Sequence, residues 1–175
     1  MADALTPPLL VASMVLMVAA VAKLRAPEGA VRALITLGVS LRGASARALV
    51  RVFAMGELAL GAWAFVGASR VACGLLCVVY AAFAGMTLIL ARRRATCGCF
   101  GAEGPPASAA GSALSAAFAL LALAAALTGV HGARWLLDLP EARALVLGLA
   151  LSAATYGAVL AYTVVPTAWN AWSAR

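Results

Sequence analysis

Two cysteines separated by a single glycine, Cys97 and Cys99, are the residues in this sequence best suited to chemistry. Residues two apart can bring their α-carbons within disulfide range, and Gly98 eases the strain of so small a ring because glycine adopts unusual backbone angles. Strained, exposed disulfides exchange readily with other thiols. Arginines just before the pair should favour the thiolate over the thiol. They are Arg92, Arg93 and Arg94.

This pattern predicts a redox-active dithiol, and two other interpretations stay open. Two soft thiolates could instead bind Cu(I) or a similar soft metal ion. Alternatively, Cys97 and Cys99 do nothing chemical and simply occupy a turn. The chain is therefore a candidate thiol–disulfide oxidoreductase and not an assigned enzyme.

The composition indicates the class of protein to which these cysteines belong. Of the 175 residues, 65% are hydrophobic and 11% are charged, and the mean hydropathy is +1.03. Soluble domains carry about a quarter charged residues, so this chain requires lipid around it. The net charge of +7 is not clustered with interleaved aromatics, as on a nucleic-acid-binding face. We therefore expect an all-α protein in a lipid bilayer, with no nucleic-acid partner.

Apolar runs of membrane-spanning length occur five times and predict a bundle of about five transmembrane helices. They lie at about residues 5–22, 48–66, 71–91, 110–130 and 144–165. Between the first two runs, residues 23–47 fit either a short interfacial helix or an ordinary loop. The second and third runs should form a tight antiparallel pair because only residues 67–70 separate them. Trp169 and Trp172 predict an interfacial anchor after the last run.

An acidic residue, Glu57, lies near the middle of the second run. A carboxylate at that depth is costly, so it should face the bundle interior and either pair with a cation or take up a proton. Lys23 and Arg51 are the candidate partners, although Arg51 does not share its helical face. A buried pair that fixes helix register and a proton-handling or quinone-contacting role are both open.

A second thiol pair, Cys73 and Cys77, lies one turn apart on one face of the third run. Buried cysteine behaves as a small hydrophobe, so packing is the simpler interpretation of this pair. A redox relay is the alternative.

Basic residues are distributed unevenly over the predicted loops. With the N-terminus outside, ten Lys or Arg side chains fall on the inner side and three on the outer side. The inner ones are Lys23, Arg25, Arg32, Arg42, Arg47, Arg51, Arg92, Arg93, Arg94 and Arg175, and the outer ones are Arg70, Arg134 and Arg143. Because inner loops carry an excess of Lys and Arg, we predict the N-terminus outside, the C-terminus inside and Cys97 and Cys99 at the cytoplasmic face.

Three motifs in this order resemble the MauE/DoxX-like family of small redox-associated membrane proteins. They are Ala22-Lys23-Leu24-x-x-Pro27, Glu57-Leu58-Ala59-Leu60-Gly61 and Cys97-Gly98-Cys99-Phe100-Gly101. The last is specifically similar to the methylamine utilisation protein MauE family. The resemblance covers about residues 8–130 and implies a four-helix core. We accordingly expect a core over residues 1–135 and an extra C-terminal transmembrane helix with an interfacial tail over residues 136–175.

The resemblance also implies a bacterial inner-membrane protein that assists maturation of an exported, disulfide-containing partner, with the small subunit of methylamine dehydrogenase as the family precedent. A thioredoxin-like protein is the other implied partner. Apart from the resemblance, the intramembrane acid makes a quinone a candidate cofactor, and the two thiols make Cu(I) the other candidate. By position, Cys97 and Cys99 would be the thiol pair and Glu57 the intramembrane acid. Since the charge count places these thiols inside, either reducing equivalents cross the membrane through Cys73 and Cys77 or the orientation is inverted. A non-catalytic assembly subunit of a membrane redox complex is a further alternative.

Overall fold

The structure, a computed structural model, describes residues 2–40, 43–100 and 107–164. Within these residues the secondary structure consists of six α-helices and one short 3-10 helix, Ala133–Asp138. The α-helices are α1 (Ala2–Arg25), α2 (Glu28–Thr36), α3 (Gly43–Gly67), α4 (Arg70–Arg92), α5 (Ala109–Thr128) and α6 (Glu141–Thr163). All except α2 are long and apolar enough to cross a bilayer. The chain is thus an all-α, multi-pass membrane protein, which confirms the fold class that the apolar runs predicted.

The segment after α1 forms a short helix and not a plain loop. Pro27 precedes α2, and one face of the helix is buried through Gly29 and Ala33. Arg32 and Ile35 point outward and are exposed. The helix therefore has one face on the bundle and one face directed away from it, as the interfacial-helix interpretation requires.

Serine caps explain where two of the spanning helices begin. The Oγ atom of Ser69 accepts a hydrogen bond from the backbone N–H of Ala72 at the start of α4. Ser108 does the same for Gly111 at the start of α5. Such caps satisfy N–H groups that have no partner inside the helix. The N-termini of α4 and α5 are thus set by a serine that lies immediately before each helix.

The core is built from small residues around α1. Leu9, Leu16 and Ala12 of α1 are buried against Leu76 and Tyr80 of α4, together with alanines of α3 and α5. Without a hydrophobic driving force between helices in lipid, small side chains permit the close backbone approach that favours association. The alanine-rich sequence therefore packs a bundle in which α1 is central.

The connection between α3 and α4 is tight, but these helices are not each other's main packing partners. Along most of their length, α3 packs against α1 and α4 packs against α5. The expectation of a tight α3–α4 pair is thus wrong away from the turn, because a short connection constrains only the helix ends that it joins. Farther from that turn, residues of α2 and of the segment after α4 line a space between the two helices.

Helix α6 lies on the outside of the bundle. Within α6 the buried residues are Leu151 and Thr155, and the Thr155 hydroxyl donates to the sulfur of Met14 in α1 at 3.6 Å. The remaining surface of α6 is largely available to lipid. The boundary expected at residue 135 stays a prediction, and Trp169 and Trp172 lie outside the described residues.

The two ends of the bundle are distinct. At one end, the Arg93 guanidinium donates to the carbonyl oxygen of Thr36, so that the end of α4 is tied to the end of α2. We call this the thiol end, because it also holds residues 95–100. At the opposite end, the backbone N–H of His131 donates to Oγ1 of Thr6 at 3.3 Å. Most basic residues lie at the thiol end, although which side of the membrane it faces stays a prediction.

Candidate functional site

The segment containing Cys97 and Cys99 folds back into the bundle. The Sγ atom of Cys97 lies 3.6 Å from Oγ1 of Thr87, a buried residue of α4. Thr87 is five residues before the last residue of α4, a helix rise of about 7.5 Å. Non-helical backbone at membrane depth is found where protein covers it, and here both cysteines are half-buried. The exposed turn that the sequence suggested is therefore a re-entrant turn.

Cys97 and Cys99 are joined in a disulfide, with their Cα atoms 5.4 Å apart. Between them, Gly98 has a φ of +66°, which L side chains rarely adopt. Gly98 also packs so tightly on α2 that a Cβ atom would lie 2.6 Å from the backbone nitrogen of Ala30 and closer still to Gly29. The sequence indicated that Gly98 is needed for its unusual backbone angles. The structure gives a second reason, since only a residue without a Cβ atom can approach the backbone of α2 so closely.

A buried ion pair joins α1 to α3 near this turn. The ammonium group of Lys23 binds the Glu57 carboxylate, and their side chains are only 7% and 11% exposed. The Lys23 Nζ atom also lies 4.7 Å from the centre of the Phe83 ring, a cation–π contact. Of the two candidate partners for Glu57, Lys23 makes the contact, whereas Arg51 is exposed on another face of α3. Two charged residues that are 34 positions apart in the sequence are thus in direct contact in the folded chain.

A mainly apolar cavity of about 210 Å³ connects the disulfide to the ion pair. Its walls come from α1, α2, α3, α4 and the re-entrant turn. The lining includes Cys97, Cys99, Lys23 and Glu57, with Ala30, Ala33, Leu34, Val50, Phe53, Ala82, Phe83, Met86 and Gly98. A disulfide and a buried ion pair therefore line one cavity.

The cavity reaches the outer surface of the bundle between α3 and α4. Phe53 of α3 and Ala82 of α4 both line it, yet Phe53 is 65% exposed and Ala82 is also exposed. Both residues lie well inside membrane-spanning helices. The opening between them therefore faces the region that lipid chains occupy.

A polar cluster behind the disulfide was missed by sequence reasoning. The ring of Phe100 lies 5.5 Å from that of Tyr162 in α6, and the Tyr162 hydroxyl is 2.9 Å from Oγ of Ser115 in α5. A small void of about 20 Å³ next to Cys99 and Lys23 is lined by the same groups. Space of this size holds about one water molecule. Hydroxyl residues inside apolar runs were the signal that could have indicated this cluster.

The arginines after α4 are exposed. Arg93 binds the Thr36 carbonyl, and Arg94 has a φ of +54° at the start of the re-entrant segment. Arg93 thus attaches the end of α4 to α2, and Arg94 adopts the backbone conformation that begins the turn. The favouring of thiolate by Arg92, Arg93 and Arg94 stays a prediction.

The second thiol pair lies near the opposite end of the bundle. Cys73 is a buried free cysteine whose Sγ is 3.7 Å from the carbonyl oxygen of Ala68, and Cys77 is a half-buried free cysteine. Cys97 contacts Thr87, which follows Cys77 by ten residues and Cys73 by fourteen, helix rises of about 15 Å and about 21 Å. Thiol–disulfide exchange requires direct contact between sulfur atoms. The structure therefore does not bring the two pairs together.

Metal-binding clusters are absent from the described part of the chain. Among residues 2–40, 43–100 and 107–164, no group of three or more His, Cys, Asp or Glu side chains could hold a metal ion. A Cu(I) site at Cys97 and Cys99 stays a prediction, and the thioether of Met86 on the same cavity wall is a further soft ligand there.

Comparison with known proteins gives one family match. The family described as methylamine utilisation protein MauE matches residues 3–132. The matched region contains both cysteine pairs, the ion pair and the whole cavity lining, and it ends before α6. No curated protein and no solved structure matches the chain.

Proposed function

Because the chain belongs to the methylamine utilisation protein MauE family, we propose that it is an integral membrane thiol-redox protein. In this proposal it supports disulfide formation and maturation of an exported partner in the bacterial inner membrane. One observation carries the proposal: the Cys97–Cys99 disulfide lies half-buried in the wall of a cavity that also contains the Lys23–Glu57 ion pair. Structural cysteines in an inert turn would not require a cavity or buried charges beside them.

The proposed reaction is an exchange between this disulfide and two thiols of a partner. One partner thiolate attacks a sulfur of the Cys97–Cys99 bond and forms a mixed disulfide, and the other cysteine leaves as a thiolate. The second partner thiol then attacks the mixed disulfide. The partner ends oxidised with a new disulfide, and Cys97 and Cys99 end as two thiols, having received two electrons and two protons.

The attachment of the turn to α2 supports this chemistry. Gly98 packs on Gly29 and Ala30, in the first turn of α2. A Cβ atom at Gly98 would meet the carbonyl carbon and oxygen of Gly29 first. This close contact supports the proposed role because it fixes the position of the disulfide-bearing turn on α2, while the thiolate is favoured in this proposal by the neighbouring arginines.

Trapping of a mixed disulfide tests the proposal. Cys97→Ser and Cys99→Ser are expressed singly in a background carrying Cys73→Ser and Cys77→Ser, and membranes are resolved without reductant. We expect one of the single variants to retain a partner through a reducible bond, and the variant lacking both cysteines to retain none. Stoichiometric Cu(I) binding that requires both cysteines, without any trapped partner, would favour the metal interpretation instead. Intact partner maturation without either cysteine would favour the assembly-subunit interpretation.

Accessibility of the same pair tests the proposed orientation. In the Cys73→Ser/Cys77→Ser background, a membrane-impermeant maleimide reports only on Cys97 and Cys99. The charge distribution predicts labelling only after permeabilisation and reduction. Labelling in intact cells after reduction would place the thiol end outside, where it could act directly on an exported partner.

A further inference from the structure

The proposed function leaves Cys97 and Cys99 reduced after each exchange, so the pair requires an electron acceptor. We propose that the cavity between α3 and α4 binds the head group of a membrane quinone, which re-oxidises the two thiols. This inference rests on the proposed function and adds the oxidant and its binding site to it.

The size and the opening of the cavity suit a lipid-soluble ring. Apolar cavities of about 150 Å³ accept benzene, and this cavity measures about 210 Å³. Its opening between Phe53 and Ala82 lies within the membrane-spanning region. A substituted ring can enter there while its isoprenoid tail stays among the lipid chains.

The polar groups of the cavity suit a quinone carbonyl. Lys23 is a buried hydrogen-bond donor on the cavity wall, and it can bind an oxygen that gains negative charge during reduction. Glu57 keeps this ammonium compensated in an apolar environment, where an unpaired charge is strongly unfavourable. The disulfide lies on the same cavity wall, so donor and acceptor can approach each other without movement of a helix.

The step balances without another reactant. The two S–H bonds of Cys97 and Cys99 break and one S–S bond forms, which releases two electrons and two protons. The quinone gains both electrons, and its two carbonyl oxygens each gain one proton to give the quinol. Lys23 and Glu57 line the same cavity as both sulfur atoms, and in this proposal they carry protons from sulfur to the quinone oxygens.

The first test follows quinone reduction directly. Purified full-length protein in lipid nanodiscs is reduced, freed of reductant without oxygen, and mixed with a short-chain ubiquinone or a short-chain menaquinone. We expect about one quinol per protein, the yield that a two-electron dithiol donor allows, and none from the Cys97→Ser/Cys99→Ser variant. Separately, the oxidised protein is mixed with a dithiol peptide, and the thiols that appear on the protein are counted.

The second test closes the opening from the lipid side. Ala82→Trp places an indole in the mouth of the cavity, whereas Ala81→Trp places the same group on a neighbouring exposed position that does not line it. We expect Ala82→Trp to slow quinone reduction by about tenfold or more, since a bound ring loses its entry and its contacts, while Ala81→Trp stays within about twofold. Protection of Cys73 from maleimide, at the opposite end, verifies that each variant is folded.

The outcomes separate the two proposals. Peptide oxidation together with absence of quinol overturns the quinone inference and leaves the proposed function in place. Absence of peptide oxidation contradicts the proposed function, and it therefore also contradicts the quinone inference that rests on it. Equal rates for Ala82→Trp and Ala81→Trp, with quinol still formed, overturn the assignment of this cavity as the site.

Discussion

Two pairs of cysteines occupy the same bundle, and their surroundings differ in almost every physical respect. Cys97 and Cys99 lie in a re-entrant turn, joined as a disulfide, beside a cavity and a buried ion pair. Cys73 and Cys77 lie in a regular helix as free thiols, and Cys73 is completely buried in the apolar core. The residue type is identical in the two regions.

Both pairs consist of cysteines, so the backbone conformation and the surroundings of the sulfur atoms distinguish a candidate redox pair from a pair that only packs. A helix holds residues one turn apart at a set separation and uses their side chains to fill space. A turn with a glycine at positive φ brings two sulfurs together without such a constraint. Substitutions at the two pairs, and at the residues around them, should therefore have unequal effects.

Removal of the thiols should separate the two pairs most clearly. Cys97→Ser/Cys99→Ser should lower the rate of dithiol-peptide oxidation by at least about 100-fold, because no other disulfide in the described residues can accept the attacking thiolate. Cys73→Ser/Cys77→Ser should change that rate by less than about twofold. The measurement is peptide oxidation by purified protein, and similar losses in both variants would remove the distinction between the pairs.

The ion pair beside the first thiol pair should contribute strongly to stability. Lys23→Met leaves the Glu57 charge buried without its partner and should lower the free energy of unfolding by about 3–5 kcal/mol. Arg51→Met removes an exposed charge and should change it by less than about 0.5 kcal/mol. Denaturant unfolding in mixed micelles measures both.

Simultaneous replacement of both charges is the decisive control for this prediction. Lys23→Met/Glu57→Leu should recover much of the loss, because neither charge then stays buried alone. If the double variant is as unstable as the single one, the loss arises from packing and not from an unpaired charge.

The glycines next to the two thiol pairs should respond with opposite sign. Gly98→Ala forces a side chain into a positive φ and against Gly29, and should destabilise the protein by more than about 1 kcal/mol while slowing exchange. Gly74, next to Cys73, has open space around it in α4, and Gly74→Ala should be neutral or stabilising by up to about 1 kcal/mol. Thermal unfolding compares the two, and a harmless Gly98→Ala would contradict the docking of the turn on α2.

The smallest effect is expected within the second pair. Cys73 is fully buried and Cys77 is half-buried, so a maleimide should label Cys77 first in the folded protein. Cys73→Ala removes one sulfur from the core and should cost about 1 kcal/mol, whereas Cys77→Ala should cost less. Mass spectrometry of timed labelling and an unfolding midpoint give both values, and faster labelling of Cys73 would show that the opposite end opens.

Much of the architecture was predictable because hydropathy acts locally. An apolar run of sufficient length must lie in lipid and must satisfy its own backbone hydrogen bonds, so each run becomes a helix with boundaries close to those expected. Glu57, isolated in such a run, stood out for the same reason, whereas Lys23 and the Cys97–Cys99 pair stood out in polar segments that follow runs.

The arrangement of the site was not predictable in this way. Whether Lys23 reaches Glu57 depends on the rotation of α3 against α1, and the contact of Cys97 with Thr87 depends on the path of a non-helical segment. Neither leaves a periodic signal in the chain. The contacts of Tyr162 with Phe100 and Ser115 likewise depend on where α6 packs on the outside of the bundle.

The membrane environment, the five spans, the unequal distribution of basic residues and the spacing of two cysteines around a glycine could all be read from the amino-acid sequence. These properties follow from side-chain solubility and from near-neighbour geometry. Three features became visible in the folded chain: α3 and α4 separate away from their turn, the cysteine turn folds back towards the space between them, and a disulfide and an ion pair line one cavity. Those features arise from packing between helices distant in sequence, where the shapes of many side chains act together.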